Sequence, residues 1–269
     1  MSQSLSAGEV SVRYPIARRR RRASRTSDLL ALDHVNVTVP PASMVGIVGE
    51  SGAGKSTLAK VLAGVIAPGE GTVRYGQTQL EFPRQQNDAR IVQMVPQDPG
   101  SSLNPALSVG AVLEELLRFH ELTPLEQIEQ DCAELMDLVG LSRETLESKP
   151  GVLSGGERQR VALARAVALR PAFLLADEIL SSLDTSVGAG ILNLLTDLHQ
   201  RLEVAIVLIS HDLAVVNAVC EEVIVMHRGA VLERGRTAEI FANPTHPYTR
   251  SLLQSARRLS LPSGAGAAR

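Results

Sequence analysis

A stretch near residue 50 combines glycines, a lysine and hydroxyl side chains in an order that suits phosphate binding. The stretch runs Gly49, Glu50, Ser51, Gly52, Ala53, Gly54, Lys55, Ser56 and Thr57. Glycines let consecutive backbone N–H groups point inward, Lys55 supplies a charge for the β and γ phosphates, and Ser56 can ligate magnesium. The pattern predicts a site for a nucleoside triphosphate and Mg²⁺, and a purely structural glycine turn is the alternative.

Two adjacent carboxylates follow another apolar segment. Residues 172–178 have the pattern of a buried parallel strand that ends in Asp177 and Glu178. Ligands of open α/β sheets lie beyond the carboxyl ends of the strands, so both side chains are expected to face the phosphate loop. We assign Asp177 to the magnesium side of the site. We assign Glu178 to orienting or deprotonating the attacking water, because phosphoryl transfer needs mainly positioning and charge neutralisation.

A histidine occupies the same kind of position after a third apolar run. Residues 204–209 predict a buried strand, and Ser210, His211 and Asp212 follow it. A lone histidine is usually structural, but one at a strand end beside the two carboxylates can reach a γ-phosphate. We therefore predict a catalytic role for His211.

A second glycine-containing segment begins a helix. Residues 153–160 contain Ser154, Gly155 and Gly156 in front of a helical pattern. Ser154 can cap that helix, and the two glycines leave its first N–H groups open, so a second anion site is predicted there.

Strands and helices with clear patterns must position these residues. Residues 44–48 predict a strand that enters the phosphate loop, and Leu58, Val61, Leu62 and Val65 have helical spacing after it. Strand, loop and helix in that order form a cradle for phosphate.

The rest of the chain predicts an α/β fold with added layers. Residues 9–14 and 29–39 predict two strands of an N-terminal β-hairpin layer, and 72–75 and 91–95 predict further strands. The pattern then changes to helices over 108–140, which indicates a helical insert.

Composition excludes some classes of function. The net charge of the 269 residues is −2, which gives no electrostatic reason to expect nucleic acid as a partner. Residues 18–22 are all arginine, and a solvated loop is favoured there over a nucleic-acid or lipid patch. Cys132 and Cys220 indicate reduced core thiols. The longest apolar run is too short to span a bilayer, so work at a membrane would require a partner.

Taken together, the motifs resemble those of the ATP-binding cassette ATPases along nearly the whole chain. In sequence order they are Tyr14, the loop 49–57, Gln97, the signature 153–157, Asp177 and Glu178, the segment Ser181, Ser182, Leu183 and Asp184, and His211. The resemblance implies a P-loop NTPase core of RecA type, with an N-terminal antiparallel β subdomain and an inserted helical subdomain. It implies that ATP and Mg²⁺ bind, that Tyr14 stacks on adenine and that Gln97 is a magnesium ligand.

The same resemblance implies a head-to-tail dimer with two ATP molecules at its interface. Ser154, Gly155, Gly156 and Asp184 would then act in trans on ATP held by a second ATPase subunit, identical or different. The chain departs from the family after the acidic pair, where Ile179 and Leu180 replace the usual Pro-Thr. Because Glu178 is retained, hydrolysis is expected.

Residues 97–105 and 243–250 resemble the oligopeptide, dipeptide and nickel importer branch. This implies an ATPase domain over 1–242, with its helical subdomain at about 100–160, and a C-terminal extension over 243–269 whose tail is expected to be disordered. The implied partners are a second ATPase subunit, two transmembrane permeases and an extracytoplasmic substrate-binding protein, at the cytoplasmic face of the inner membrane. The alternatives are an ATPase of a cytosolic complex, such as a phosphonate-degradation assembly, and a structural ATPase of the DNA-repair kind.

Overall fold

The strands and helices follow one another in an α/β order. The structure is a computed structural model that describes residues 3–15, 28–181 and 183–259. The strands are β1 (Leu5–Tyr14), β2 (Leu29–Val39), β3 (Met44–Val48), β4 (Glu70–Tyr75), β5 (Thr78–Leu80), β6 (Val92–Val95), β7 (Phe173–Asp177), β8 (Ala205–Ile209), β9 (Glu222–His227) and β10 (Ala230–Arg236). The α-helices are α1 (Lys55–Leu62), α2 (Gln86–Ile91), α3 (Val109–Phe119), α4 (Ile128–Leu138), α5 (Gly155–Ala168), α6 (Thr185–Leu202), α7 (Leu213–Val219), α8 (Thr237–Ala242) and α9 (Pro247–Leu259).

A six-stranded sheet forms the centre of the molecule. Its strand order is β10-β9-β3-β8-β7-β6, and every pair is parallel except β10 with β9. All residues of β3, β7 and β8 are buried, as expected for parallel strands that are covered on both faces. The carboxyl ends of these three strands therefore meet at one edge, where the phosphate loop, the acidic pair and His211 follow them.

A second sheet is antiparallel and lies at the N-terminal side of the fold. Its order is β2-β1-β4-β5, and β1 pairs with β2 as the sequence predicts. The buried side chains of this sheet share one hydrophobic cluster with α1 and with one face of the central sheet. The predicted fold class, an α/β core with an N-terminal antiparallel sheet and inserted helices, is confirmed.

The inserted helices pack against the helix that follows the signature. On α3 the residues Leu113 and Leu117 are buried, and on α4 the buried residues are Ile128, Cys132 and Met136. These side chains join the cluster that also contains the buried face of α5. The insert is thus continuous with the core beside the start of α5.

Several predicted element boundaries are wrong, each for a local reason. The helix after the phosphate loop ends at Leu62, because Gly64 takes a φ of +79° and the chain turns back, so Val65 is exposed. Ile91 ends the short helix α2 instead of starting a strand. The sequence interpretation contained no strand at β5, β9 or β10, although β9 carries an apolar run.

Some sequence predictions fall outside the described residues. These are the arginine run 18–22, Ser182 and the tail from residue 260 onward. Within the described ranges, no helix has both the length and the apolar character that a bilayer span requires. Cys132 and Cys220 are buried free thiols, and burial raises their pKa values to about 11 and about 12.

Candidate active site

The phosphate loop connects β3 to α1 through a glycine that no larger residue could replace. Gly54 is the N-cap of α1 and has a φ of +102°. A Cβ at this position would lie 2.6 Å from the carbonyl oxygen of Ala31, so both the backbone conformation and the close approach require glycine. No side chain caps α1 at Gly54, and the first N–H groups of the helix therefore remain available to an anion.

The lysine of the loop is buried and folded back onto the loop backbone. Lys55 is 4% exposed, and its Nζ donates to the carbonyl oxygens of Gly49 (2.8 Å) and Glu50 (3.0 Å). Burial lowers the pKa of Lys55, while the carboxylates of Glu178 and Asp177 oppose that shift. Nζ also lies 3.9 Å from Oε1 of Glu178. The cation is thus held within the loop and beside the acidic pair.

Asp177, at the end of β7, meets the first turn of α1. The hydroxyl of Ser56 donates to Oδ1 of Asp177 over 2.9 Å. Burial raises the pKa of Asp177, and the Ser56 hydrogen bond and the nearby lysines oppose this shift. A buried carboxylate is costly unless it is paired, and a hydroxyl with a carboxylate is a donor set that a hard cation prefers. The two side chains therefore fit Mg²⁺.

Glu178 lies between the lysine and the histidine. Its backbone is in the left-handed region, with a φ of +50°, and its N–H donates to the carbonyl of Ile209 over 3.0 Å. Oε2 lies 3.9 Å from Nδ1 of His211, which is the second residue after the end of β8. An unusual backbone conformation at such a place is typical of functional residues. Lys55, Glu178 and His211 thus form one row at the strand ends.

Gln97 reaches the same turn through a serine. Its Nε2 donates to Oγ of Ser181 over 3.2 Å, and that hydroxyl donates to the carbonyl of Glu178 over 2.8 Å. The sequence places Ser181 in a family motif but gives no sign of this link.

A cleft of about 310 Å³ opens in front of the loop. It is lined by Tyr14, Leu29, Leu30, Ala31, Ser51, Gly52, Ala53, Gly54, Lys55, Ser56, Thr57, Gln97 and Glu178. Tyr14 comes from the end of β1, so an aromatic ring borders the same space as the loop. The lining suits a ligand with a planar group at one end and phosphates at the other.

The signature lies outside this cleft. Ser154 caps α5 by accepting from the N–H of Glu157 (3.3 Å), and the Glu157 carboxylate accepts from the N–H of Ser154 (2.8 Å). Gly155 and Gly156 form the first turn of α5, and Asp184 precedes α6. Of the described residues that line the cleft, none belongs to these segments.

The two residues that depart from the family pattern after the acidic pair pack into the hydrophobic core. Ile179 is fully buried, and Leu180 packs against the same hydrophobic cluster. The turn after Glu178 is therefore closed by apolar packing.

Tyr248 contacts the phosphate loop, and the sequence does not predict this contact. The hydroxyl of Tyr248, in α9, accepts a hydrogen bond from the N–H of Glu50 over 3.1 Å. The two residues are 198 positions apart, so spacing gives no signal. Only the resemblance of residues 243–250 to one branch pointed to this region.

Comparisons with known proteins show similarity along most of the chain. Residues 32–181 match the protein family described as ABC transporter. The dipeptide transport ATP-binding protein DppF of Haemophilus influenzae is 40% identical over 240 residues, which are 88% of this chain and 73% of that protein. The oligopeptide transport ATP-binding protein OppF of Lactococcus lactis subsp. lactis is 38% identical over 259 residues, 95% of this chain and 81% of that protein.

A solved structure shares the fold as well. The ATP-binding cassette MJ0796, in a dimeric post-hydrolysis state bound to ADP and Pi, matches with a TM-score of 0.74 and 27% identity. The match covers 87% of this chain and 98% of that one.

Proposed function

Because this chain belongs to the ABC transporter family, we propose that it is the ATPase subunit of an importer that powers uptake of peptides or a related solute, nickel included. The similarity to dipeptide and oligopeptide transport ATP-binding proteins over most of the chain supports this branch. The chain binds and hydrolyses ATP, as its family does.

One observation carries the proposed catalytic assignment. At the carboxyl ends of β3, β7 and β8, Glu178 lies 3.9 Å from both the buried Lys55 and His211, and the neighbouring Asp177 accepts from Ser56 over 2.9 Å. These are the groups that phosphoryl transfer needs: a cation for the phosphates, an oxygen ligand for a metal and a base for water.

The phosphates of ATP would occupy the loop 49–57, with their charge facing the open N–H groups of α1. Lys55 would exchange the carbonyls of Gly49 and Glu50 for the β and γ phosphate oxygens. This exchange is favourable because the phosphate oxygens are negatively charged and the carbonyls are neutral, so each new bond joins two ionised groups. Tyr14, at the rim of the cleft, would stack on adenine.

Glu178 would act on the attacking water. Its carboxylate would accept a proton as the water oxygen bonds to the γ-phosphorus, while the bond to the β–γ bridging oxygen breaks and ADP and phosphate leave. His211, 3.9 Å from Glu178, would donate a hydrogen bond to the γ-phosphate. Both residues are therefore proposed as catalytic.

Magnesium would be held by Ser56, Asp177 and Gln97. When bound there, the metal would supply charge neutralisation for the phosphates. Ser56 and Asp177 already converge, and Gln97 would offer its Oε1, because its Nε2 is the atom that donates to Ser181.

The catalytic unit is proposed to be a dimer. Ser154, Gly155, Gly156 and Asp184 would complete the site of a second ATPase subunit, because these segments do not border the chain's own cleft. The second subunit is an identical or a different ATPase chain.

The remaining partners and the location follow from the same branch. We propose two transmembrane permeases and an extracytoplasmic substrate-binding protein as partners, nucleic acid not being one, with this chain at the cytoplasmic face of the inner membrane. The ATPase domain is proposed to span 1–242, with a helical subdomain at about 100–160 and an extension over 243–269.

The test is to purify the native complex from membranes through a tag on this chain and to identify its subunits. The complex, reconstituted in vesicles with its binding protein, should take up labelled di- and oligopeptides when ATP is supplied. The same complex carrying Glu178→Gln should bind ATP without uptake.

Two outcomes would contradict the importer function. Recovery of the chain in a soluble enzyme assembly would favour a cytosolic complex such as one for phosphonate degradation. Salt-sensitive DNA binding without permeases would favour a repair ATPase.

A further inference from the structure

We propose that Tyr248 is a positioning residue of the ATP site, whose hydroxyl fixes the first peptide unit of the phosphate loop. This inference rests on the proposed function of that loop in binding ATP. It gives a role to the segment 243–250, which the proposed mechanism does not use.

The peptide unit between Gly49 and Glu50 is held at both of its polar groups. Its N–H donates to the hydroxyl of Tyr248 over 3.1 Å, and its carbonyl accepts from Nζ of Lys55 over 2.8 Å. A peptide unit is planar, so an interaction that fixes the N–H also fixes the direction of the carbonyl. Tyr248 therefore fixes the direction of the Gly49 carbonyl, one of the two carbonyls to which Lys55 donates.

The start of the loop has little freedom of its own. Gly49 has a φ of +150°, and a Cβ there would lie 2.2 Å from the carbonyl oxygen of Met226 in β9. The next residue of that strand, His227, stacks on the ring of Tyr248 with centroids 4.1 Å apart. The end of β9 thus lies against Gly49, and Tyr248, which contacts the same strand end, binds the N–H of Glu50.

Tyr248 is itself anchored through a buried carboxylate. Glu233, 8% exposed, accepts from the N–H of Thr245 (2.7 Å), its hydroxyl (2.8 Å) and the N–H of His246 (3.2 Å). Burial alone would raise the pKa of Glu233, but the side chain of Thr249, followed by the bonds from Thr245 and His246, outweighs burial and leaves the pKa below its ordinary value. The ionised carboxylate therefore fixes the chain directly before Tyr248.

The Tyr248 hydroxyl is chemically suited to accept the hydrogen bond from the Glu50 N–H. It is half-buried, and burial raises its pKa, so it remains a neutral acceptor at physiological pH. A loop held in one conformation before ATP arrives loses less conformational entropy on binding. Removal of this hydroxyl should therefore weaken nucleotide binding while leaving the packing of the ring intact.

The test compares Tyr248→Phe with Tyr75→Phe in the full-length chain. The control makes the same chemical change in the antiparallel sheet, where Tyr75 packs edge-on against Phe173. Amide hydrogen exchange of Glu50 is followed by NMR without nucleotide, and ADP affinity is measured by calorimetry. Thermal unfolding of each variant is recorded alongside.

Tyr248→Phe should speed exchange of the Glu50 amide by about tenfold and weaken ADP binding by roughly two- to tenfold, the range expected for one net hydrogen bond. The unfolding temperature should match that of Tyr75→Phe. A purely structural tyrosine would change the unfolding temperature without a specific effect on the Glu50 amide.

Three results would overturn the proposal. One is unchanged Glu50 exchange, and another is faster exchange with unchanged ADP affinity. The third is that Tyr248→Leu changes Glu50 exchange and ADP affinity whereas Tyr248→Phe changes neither, which would assign the role to packing of the ring.

The variant Lys55→Ala distinguishes a failure of this inference from a failure of the proposed function. If Lys55→Ala weakens ADP binding and Tyr248→Phe does not, only the role of Tyr248 is wrong. If Lys55→Ala also binds ADP normally, the ATP site itself is misplaced and both fail.

Discussion

The N-termini of the helices α1 and α5 both contain glycine, but they differ in what they offer an anion. At α1 the N-cap is Gly54, no side chain caps the helix, and Lys55 and Ser56 occupy its first turn. At α5 the N-cap is Ser154, and Glu157 closes a reciprocal capping box and adds a negative charge to the first turn. The N-terminus of α1 thus has no side-chain cap and carries a lysine, whereas at α5 the capping box already satisfies the N–H groups of Ser154 and Glu157.

The difference explains why the two segments are not equivalent anion sites. A triphosphate needs charge neutralisation, which Lys55 provides and which the first turn of α5 lacks. The N–H groups of Gly155 and Gly156, outside the capping box, can add contacts to a phosphate that is already held. The comparison therefore favours α1 as the primary site and α5 as the complement supplied to a second subunit.

The largest expected effect tests whether hydrolysis depends on Glu178, which lies beside the lysine of α1. Glu178→Gln keeps the size of the side chain and removes the base, so ATP should still bind while turnover falls by about a hundredfold or more. Turnover is measured on the purified complex. The control is Glu115→Gln, the same change at an exposed position of α3, and it should stay near wild type. Near-normal hydrolysis by Glu178→Gln would show that Glu178 is not the base.

The next effect tests the cation at α1. Lys55→Ala removes charge-assisted hydrogen bonds to phosphate, each of which is worth about 1.5–3 kcal/mol, so nucleotide affinity should fall by roughly tenfold to a hundredfold. Lys60→Ala, on the same helix and exposed, is the control and should bind ATP nearly as wild type does. Equal affinities by calorimetry would show that the phosphates are held elsewhere.

Sequence predicts the α1 side of this comparison well, because its signals are local. A buried strand, a glycine loop and a helix follow one another within residues 44–62, and continuous apolar runs identify β7 and β8. The placement of Asp177, Glu178 and His211 then follows from a general rule for parallel sheets.

Other features could not be predicted, because they depend on contacts between distant segments. The end of α1 depends on Gly64 adopting positive φ, which a helical pattern that includes Val65 does not reveal. The contacts of Ser181 with Gln97 and of Tyr248 with Glu50 join residues 84 and 198 positions apart. The capping box at α5, in contrast, is visible as Ser154 followed three residues later by Glu157.

A smaller effect tests α5 as the complement. Ser154→Arg should leave ATP affinity unchanged and lower turnover by about tenfold or more, since it changes the face offered to the second subunit and, besides that face, only the cap of α5. Mixed with Lys55→Ala chains, it should recover part of the activity, because one site then has an intact loop and an intact signature. Where the native partner is a different ATPase, each change is placed on its own subunit.

The matched control for that test is Ser142→Arg, at another exposed serine that caps a helical turn. It should leave turnover close to wild type and rescue nothing. Turnover that is independent of protein concentration and insensitive to Ser154→Arg would contradict the composite site.

The smallest effect concerns the capping box, which distinguishes α5 from α1. The backbone N–H of Ser154 is the main reason that the pKa of Glu157 lies below its ordinary value, and the Ser154 side chain adds to the shift. A carboxyl with a lowered folded-state pKa stabilises the fold above its unfolded pKa, and this stabilisation is lost as pH falls through the folded value. Glu157→Gln should therefore cost less than about 1 kcal/mol of unfolding free energy at pH 7.

The difference between wild type and Glu157→Gln in denaturant unfolding should shrink from about pH 5 downward, where the carboxylate takes up its proton. Glu129→Gln is the control, since Glu129 lies in the first turn of α4, where no side chain caps the helix. Loss of the Glu129 charge should cost less at pH 7, because it removes an interaction with the helix dipole but no charge-assisted capping bond. Equal costs for the two variants would mean that the charge of Glu157 adds nothing to its capping bond beyond the interaction with the dipole, since glutamine can still complete the capping box.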